Sequence, residues 1–216
     1  AYRRNMRYRA VPLAALLKGV HPEDHLQAVA SDGFAAELPA APLLAEQGSQ
    51  AWLAIEDPQR PWPPLGAGKP SAGPFYLVWS KPEEKRIGPE QWPFQVVRIR
   101  YQSPLAERFP ALLPAADASA EVRAGFAVFQ KNCLACHRLN GAGDAQFGPD
   151  LNLPYNPTEY FQPQFLARYI RDPQALRQWP QAKMPAFPER VIDDQELRQL
   201  IGYLRHMAGR KAGAAG

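Results

Sequence analysis

The chain has only two cysteines in 216 residues, Cys133 and Cys136, and the two are near neighbours. A disulfide framework is therefore excluded as the source of stability, and an apolar core must hold the fold. Long hydrophobic runs are also missing. The longest, Val11 to Leu17, falls far short of the ~18 residues that span a bilayer. The net charge is only +4, with no dense basic patch, which argues against a nucleic-acid partner. The small bias suits encounter with an acidic docking face. No phosphate loop, Ser/His/Asp set or convincing carboxylate pair is present, so no residue is assigned as catalytic. Glu56-Asp57 and Glu83-Glu84 read as solvated loop charges.

Proline, by contrast, is abundant at 24 residues, which predicts many turns and short elements. Upstream of about residue 104, β-type runs at Leu26–Ser31, Ala51–Glu56, Phe75–Ser80 and Phe94–Tyr101 alternate with Pro/Gly turns. The last run alternates imperfectly, as a strand covered on both faces would. The loop Asp57–Pro74 holds six prolines and offers few donors for regular structure. Downstream the period becomes helical. Ser119 caps a helix over Glu121–Asn132, Gln164–Arg171 forms a short helix stopped by Asp172-Pro173, and Asp193 or Asp194 caps a last helix to about Met207. The expected fold is α+β in two domains. A β-rich domain spans 1–112, a linker 113–118 and an all-α domain 119–216.

Residues Cys133-Leu134-Ala135-Cys136-His137 spell C-x-x-C-H, the attachment signature of a c-type haem. Two residues separate the thiols, so each reaches one vinyl of the same ring as a thioether. His137 follows at once and is placed to ligate the iron. A zinc site would want further Cys or His ligands. A redox dithiol would want a surrounding βαβ pattern. Two methionines compete for the opposite axial position. Met184 lies in Lys183-Met184-Pro185, a proline-stiffened loop able to cross to the distal face. Met207 ends the last helix, where core or surface packing is the simpler role. The reading takes Met184.

Several motifs in order make residues 119–210 resemble class I cytochrome c. Gly125 and Phe129 match the first-helix pair that packs on the last helix. C-x-x-C-H follows, then Gly148-Pro149-x-Leu151, Met184-Pro185 and Leu200-x-x-Tyr203. The resemblance implies one covalent haem c, held by Cys133 and Cys136 and ligated by His137 and Met184. It also implies that the Pro149 carbonyl accepts a hydrogen bond from the other ring nitrogen of His137. Phe126, Phe129, Phe147, Leu151, Phe165, Ile170, Leu200 and Leu204 are expected to form the apolar wall. Tyr169 and Trp179 can be read as propionate donors, although ordinary half-burial describes them better.

In the first half, an Asp32-Gly33-aromatic turn, the Ala51–Ile55 strand, a Gly73-Pro74-led strand and a closing Val96–Ile99 strand occur in an order similar to the sulfite-oxidase-type molybdopterin-binding domain. That family holds its metal through a cysteine, and residues 26–101 have none. The resemblance therefore implies a cut-down, cofactor-free relative. His21 and His25 would clip a metal only if helical, and Pro22 predicts a turn instead.

Together these readings predict a periplasmic one-electron carrier whose β-rich domain docks a redox partner protein. Haem attachment belongs to the oxidising side of a bacterial membrane, so a leader or anchor would have been removed. Arg3, Arg4, Arg7 and Arg9 either flanked such an anchor or form a solvated basic tail. Two alternatives stay open. One is a haem-based sensor with a labile Met184. The other is a cytochrome subunit of a larger dehydrogenase.

Overall fold

The computed structural model describes residues 1–2, 4–178 and 181–213. The chain divides into two compact units, Ala1–Pro104 and Leu105–Gly216. The first is β-rich and the second helical, a mixed α+β architecture. No described helix is long and apolar enough to cross a membrane.

The β-rich unit is built from two antiparallel three-stranded sheets. One has the order β1 (Ala10–Pro12), β4 (Gln50–Ile55), β5 (Phe75–Ser80). The other has the order β3 (Ala35–Pro39), β2 (His25–Ala30), β6 (Val96–Gln102). Leu26, Ala28 and Leu38 of one sheet share a buried core with Ala51, Leu77 and Trp79 of the other. The Asp32-Gly33 turn joins β2 to β3. Gly33 takes φ +90°, which a side chain rarely adopts, and the Asp32 carboxylate accepts from the Phe34 N–H at 3.1 Å. Pro39 ends β3 and starts the single turn α1 (Ala40–Leu43).

All four strands read from the sequence form, within a residue or two at each end. β1 and β3 were not legible. β1 has three residues and ends at Pro12, and β3 reads Ala-Ala-Glu-Leu-Pro, without a β-branched residue. The expectation that Phe94–Tyr101 is covered on both faces is corrected. β6 is a sheet edge, and its Val97 and Tyr101 are each 56% exposed. Beside it, Leu13, Leu16, Leu17, Leu53 and Ile99 line an aliphatic groove of about 250 Å³. The proline-rich loop 57–74 is irregular yet packed. Trp62, Leu65 and Ala72 join Tyr2, Tyr8 and Tyr76 in a second small cluster, where the Tyr8 ring meets Trp62 edge-on at 5.1 Å. His21 sits in a turn closed by Asp24, and His25 opens β2, so the helical spacing a metal clip would need is absent.

The helical unit centres on α3 (Ala120–Asn132) and α7 (Asp194–Ala208). Ser119 caps α3 by accepting from the Val122 N–H at 3.3 Å. Asp193 and Glu196 form a capping box that starts α7. The two helices cross at Gly125. A Cβ there would overlap the Gln199 carbonyl oxygen and lie 2.9 Å from the Tyr203 Cβ. Phe126 and Phe129 pack their rings on Tyr203, with centroids 5.4 and 5.3 Å away. The remaining pieces are short: α2 (Leu105–Arg108), α4 (Pro157–Tyr160), α5 (Pro163–Arg171) and α6 (Pro173–Leu176).

The domain boundary read from the sequence moves. Residues 105–112, expected in the β-rich domain, and 113–118, expected as a linker, both belong to the helical unit. Leu105 and Leu112 are buried in its core, and the Tyr203 hydroxyl donates to the Leu112 carbonyl at 2.7 Å. The Ala115 N–H donates to Nε2 of His206 at 3.0 Å, and Arg108 pairs with Asp144. Three prolines gave this segment the look of a spacer, but its leucines find a core.

Candidate functional site

α3 ends in a further helical turn that carries the motif. The Cys133 N–H donates to the Phe129 carbonyl at 2.8 Å, and the Cys136 and His137 N–H groups both donate to the Cys133 carbonyl, at 3.1 and 2.9 Å. Positions i, i+3 and i+4 share one face of such a turn. Cys133, Cys136 and His137 are accordingly all half-buried, while Leu134 and Ala135 turn into the core. Neither Cys133 nor Cys136 is in a disulfide.

The loop 147–156 runs back along this turn. The Gly148 N–H donates to the Cys136 carbonyl at 2.7 Å, and the Leu151 N–H to the Arg138 carbonyl at 2.8 Å. Between these two bonds, Nδ1 of His137 lies 2.9 Å from the Pro149 carbonyl oxygen. A carbonyl can only accept, so the proton sits on Nδ1 and the lone pair on Nε2. Burial lowers the His137 pKa, opposed by the Pro149 carbonyl and the Asp150 charge. The neutral ring that a metal requires is thus favoured. Gly148 lies flat against the imidazole. A Cβ there would overlap the ring and come within 3.0 Å of Nε2, so only glycine permits this approach.

Met184 lies between α6 and α7 in the chain, outside any helix or strand, and is partly buried against the helical core. Next to it, the Lys183 ammonium lies 5.2 Å from the centre of the Phe147 ring. The segment is anchored beyond Met184 by buried Phe187. The Phe187 N–H donates to the Arg171 carbonyl at 3.1 Å, and the Arg171 guanidinium donates back to the Phe187 carbonyl at 3.0 Å and pairs with Asp194 at 2.7 Å. Met207 is different. It is 1% exposed inside α7, a core residue.

The apolar wall is corrected at one position. Phe165 is 39% exposed and carries Arg168 over its ring, because Leu166 and Ile170 take the inward face of α5. Phe165 and Ile170 are five residues apart and cannot share that face. Tyr169 is half-buried with its ring 5.3 Å from Phe161. Trp179 and Arg3 lie outside the described residues. Sequence reasoning missed Asp150, Asn140, Asn152 and Asn156, four polar residues packed behind the Pro149 loop. The only signal was their density around Gly148-Pro149.

Residues 122–208 match the family model for cytochrome c. The helical unit therefore carries a cytochrome c domain, which supports a haem-based electron-transfer role and implies a covalently bound c-type haem. No curated protein and no solved structure shows a significant match to the chain. The likeness of residues 26–101 to the molybdopterin-binding domain gains no support from these comparisons. The site fits the implied group. Two thiols and a neutral imidazole share one face, and Gly148 lets the Pro149 loop lie close against the imidazole.

Proposed function

We propose that this chain is a periplasmic one-electron carrier with one haem c, whose β-rich unit docks a redox partner protein. Cys133 and Cys136 would hold the group through thioethers, and His137 Nε2 and the Met184 sulfur would be its axial ligands. The observation that carries the reading is the His137 Nδ1–Pro149 carbonyl contact of 2.9 Å directly after the C-x-x-C turn. It presents a neutral, oriented imidazole beside two thiols that form no disulfide. Bound haem supplies an iron that exchanges one electron, and a thioether ligand raises its potential. The chain's own residues hold the ligands still and exclude water, so that little rearranges when the electron moves. For the β-rich unit, support comes from exposed Val97 and Tyr101 beside the aliphatic groove.

Mass spectrometry of the denatured protein tests the reading. One haem mass should stay with the chain, and Cys133→Ser should cripple its attachment. Extraction of the haem into acidified acetone would sink the proposal. A persistent Fe(III)–methionine absorption band supports electron transfer, whereas its loss on exposure to a small gas would favour the sensor reading.

A further inference from the structure

Behind Pro149 lies a chain of linked polar groups. The Asp150 carboxylate accepts backbone N–H groups from Asn140 at 3.1 Å, Gly141 at 2.6 Å, Asn152 at 2.8 Å and Leu153 at 2.9 Å. It ties the loop carrying Pro149 to the turn that follows the C-x-x-C-H motif. Three asparagines continue inward, and they are 8%, 0% and 0% exposed at 140, 152 and 156. The Asn152 amide donates to Asn140 Oδ1 and to the Met207 carbonyl, both at 2.7 Å. Asn156 donates to Asn152 Oδ1 and to the Leu204 carbonyl, both at 2.9 Å. The ladder thus starts on the last two turns of α7 and reaches Asn152, three residues from Pro149.

We infer that Asn152, backed by Asn156 and clamped to Asp150 through its own N–H, is a positioning residue for His137. Resting on the electron-carrier reading, this adds a way in which the fold sets the potential. The Nδ1–H bond to Pro149 pushes electron density onto Nε2 and favours the ferric state. Its strength depends on where the carbonyl is held. Pro149 has no N–H with which to anchor itself, so its place is set by Gly148 on one side and Asp150 on the other. Three buried amides are a costly way merely to fill space, since an apolar core of equal volume needs no partners. What the amides add is direction, because each bond fixes an orientation as well as a distance.

The experiment uses the haem-loaded 216-residue chain, with covalent haem first verified by mass. Asn152→Leu changes no charge and removes both donated bonds. It should raise the midpoint potential. By proton NMR of the ferrous protein, it should also speed hydrogen exchange of the His137 Nδ1 proton by about tenfold, the scale of one lost hydrogen bond. Asn156→Leu, one step further away, should move both readouts in the same sense and less. Leu105→Ala, in the same core but in neither the apolar wall nor the ladder, serves as a control of comparable destabilisation, and it should move neither. A lowered melting temperature in Asn152→Leu with unchanged potential and exchange would overturn the inference and leave the ladder a scaffold only. Failure of both asparagine variants to mature while Leu105→Ala matures would overturn it equally, by making the ladder a folding requirement. Absence of haem from the parent protein would instead count against the electron-carrier reading itself.

Discussion

Gly125 of α3 meets the Gln199 backbone of α7 so closely that no Cβ fits between them. The two helices are therefore packed at backbone distance, and Tyr203 fills the space beside them, flanked by Phe126 and Phe129. Gly125→Ala should wedge the crossing apart. A loss of about 1–3 kcal/mol is expected, the range for overpacking a filled core. Chemical unfolding of the haem-loaded protein measures it. A stability unchanged within error would mean that the crossing relaxes freely.

Gly148→Ala should disturb the site more than the stability. Its new methyl group would enter the space of the His137 imidazole. Poor haem attachment, or a haem with altered spin state, is the expected outcome in the visible spectrum. A variant with the parental spectrum would show that the ring does not lie against Gly148 in the loaded protein.

The two methionines are separable by substitution. Met184→His should keep a six-coordinate low-spin haem and lower its potential, because imidazole replaces thioether. Met207→Leu, a swap of similar volume within the core, should cost under about 1.5 kcal/mol and keep the Fe(III)–methionine band. Loss of that band in Met207→Leu alone would reverse the ligand assignment.

Truncation tests the boundary. A protein beginning at Leu105 retains buried Leu105 and Leu112 and the bond from Tyr203 to the Leu112 carbonyl. It should mature and show the parental spectrum. One beginning at Ala115 loses both leucines, each worth roughly 2 kcal/mol of apolar burial, and leaves the Tyr203 hydroxyl without its acceptor. Poor yield or a markedly lower melting temperature is expected for the shorter form. Equal stability of the two would mean that residues 105–114 add nothing to the helical core.

Alkaline pH should weaken the β-rich unit. Burial pushes the Tyr8 hydroxyl up to about 12, and it raises that of Tyr76 as well, with neighbouring tyrosines adding to both. In the unfolded chain both titrate near 10. The folded unit thus holds these protons more tightly. Its stability is complete below about pH 10 and falls as pH rises towards 12. Unfolding midpoints of the parent and of Tyr8→Phe between pH 9 and 12 check this, and the substitution should flatten the decline.

The helical half was largely legible from local signals. Ser119 and Asp193 announce their helices by capping chemistry, and the Cys133–His137 spacing places three side chains on one turn whatever surrounds it. Strand β3 escaped because alanines carry little β-signal. The segment 105–118 escaped because Pro104, Pro110 and Pro114 mask two core leucines. The asparagine ladder escaped for a further reason. Asn140, Asn152 and Asn156 resemble ordinary turn residues, and only contacts 48 to 70 positions away along the chain bury them.

One side chain of that ladder also gathers the two ends of the helical unit. The Asn140 amide donates to the Ala111 carbonyl at 3.2 Å and to the Arg210 carbonyl at 2.9 Å. Entry and exit of this unit are thus pinned to the same point. A module whose ends meet can be spliced into a surface loop of another protein, or reopened at a new place by circular permutation, with little strain at the join. The cytochrome c domain of this chain is in that sense a plug-in part, and Asn140 is its clasp.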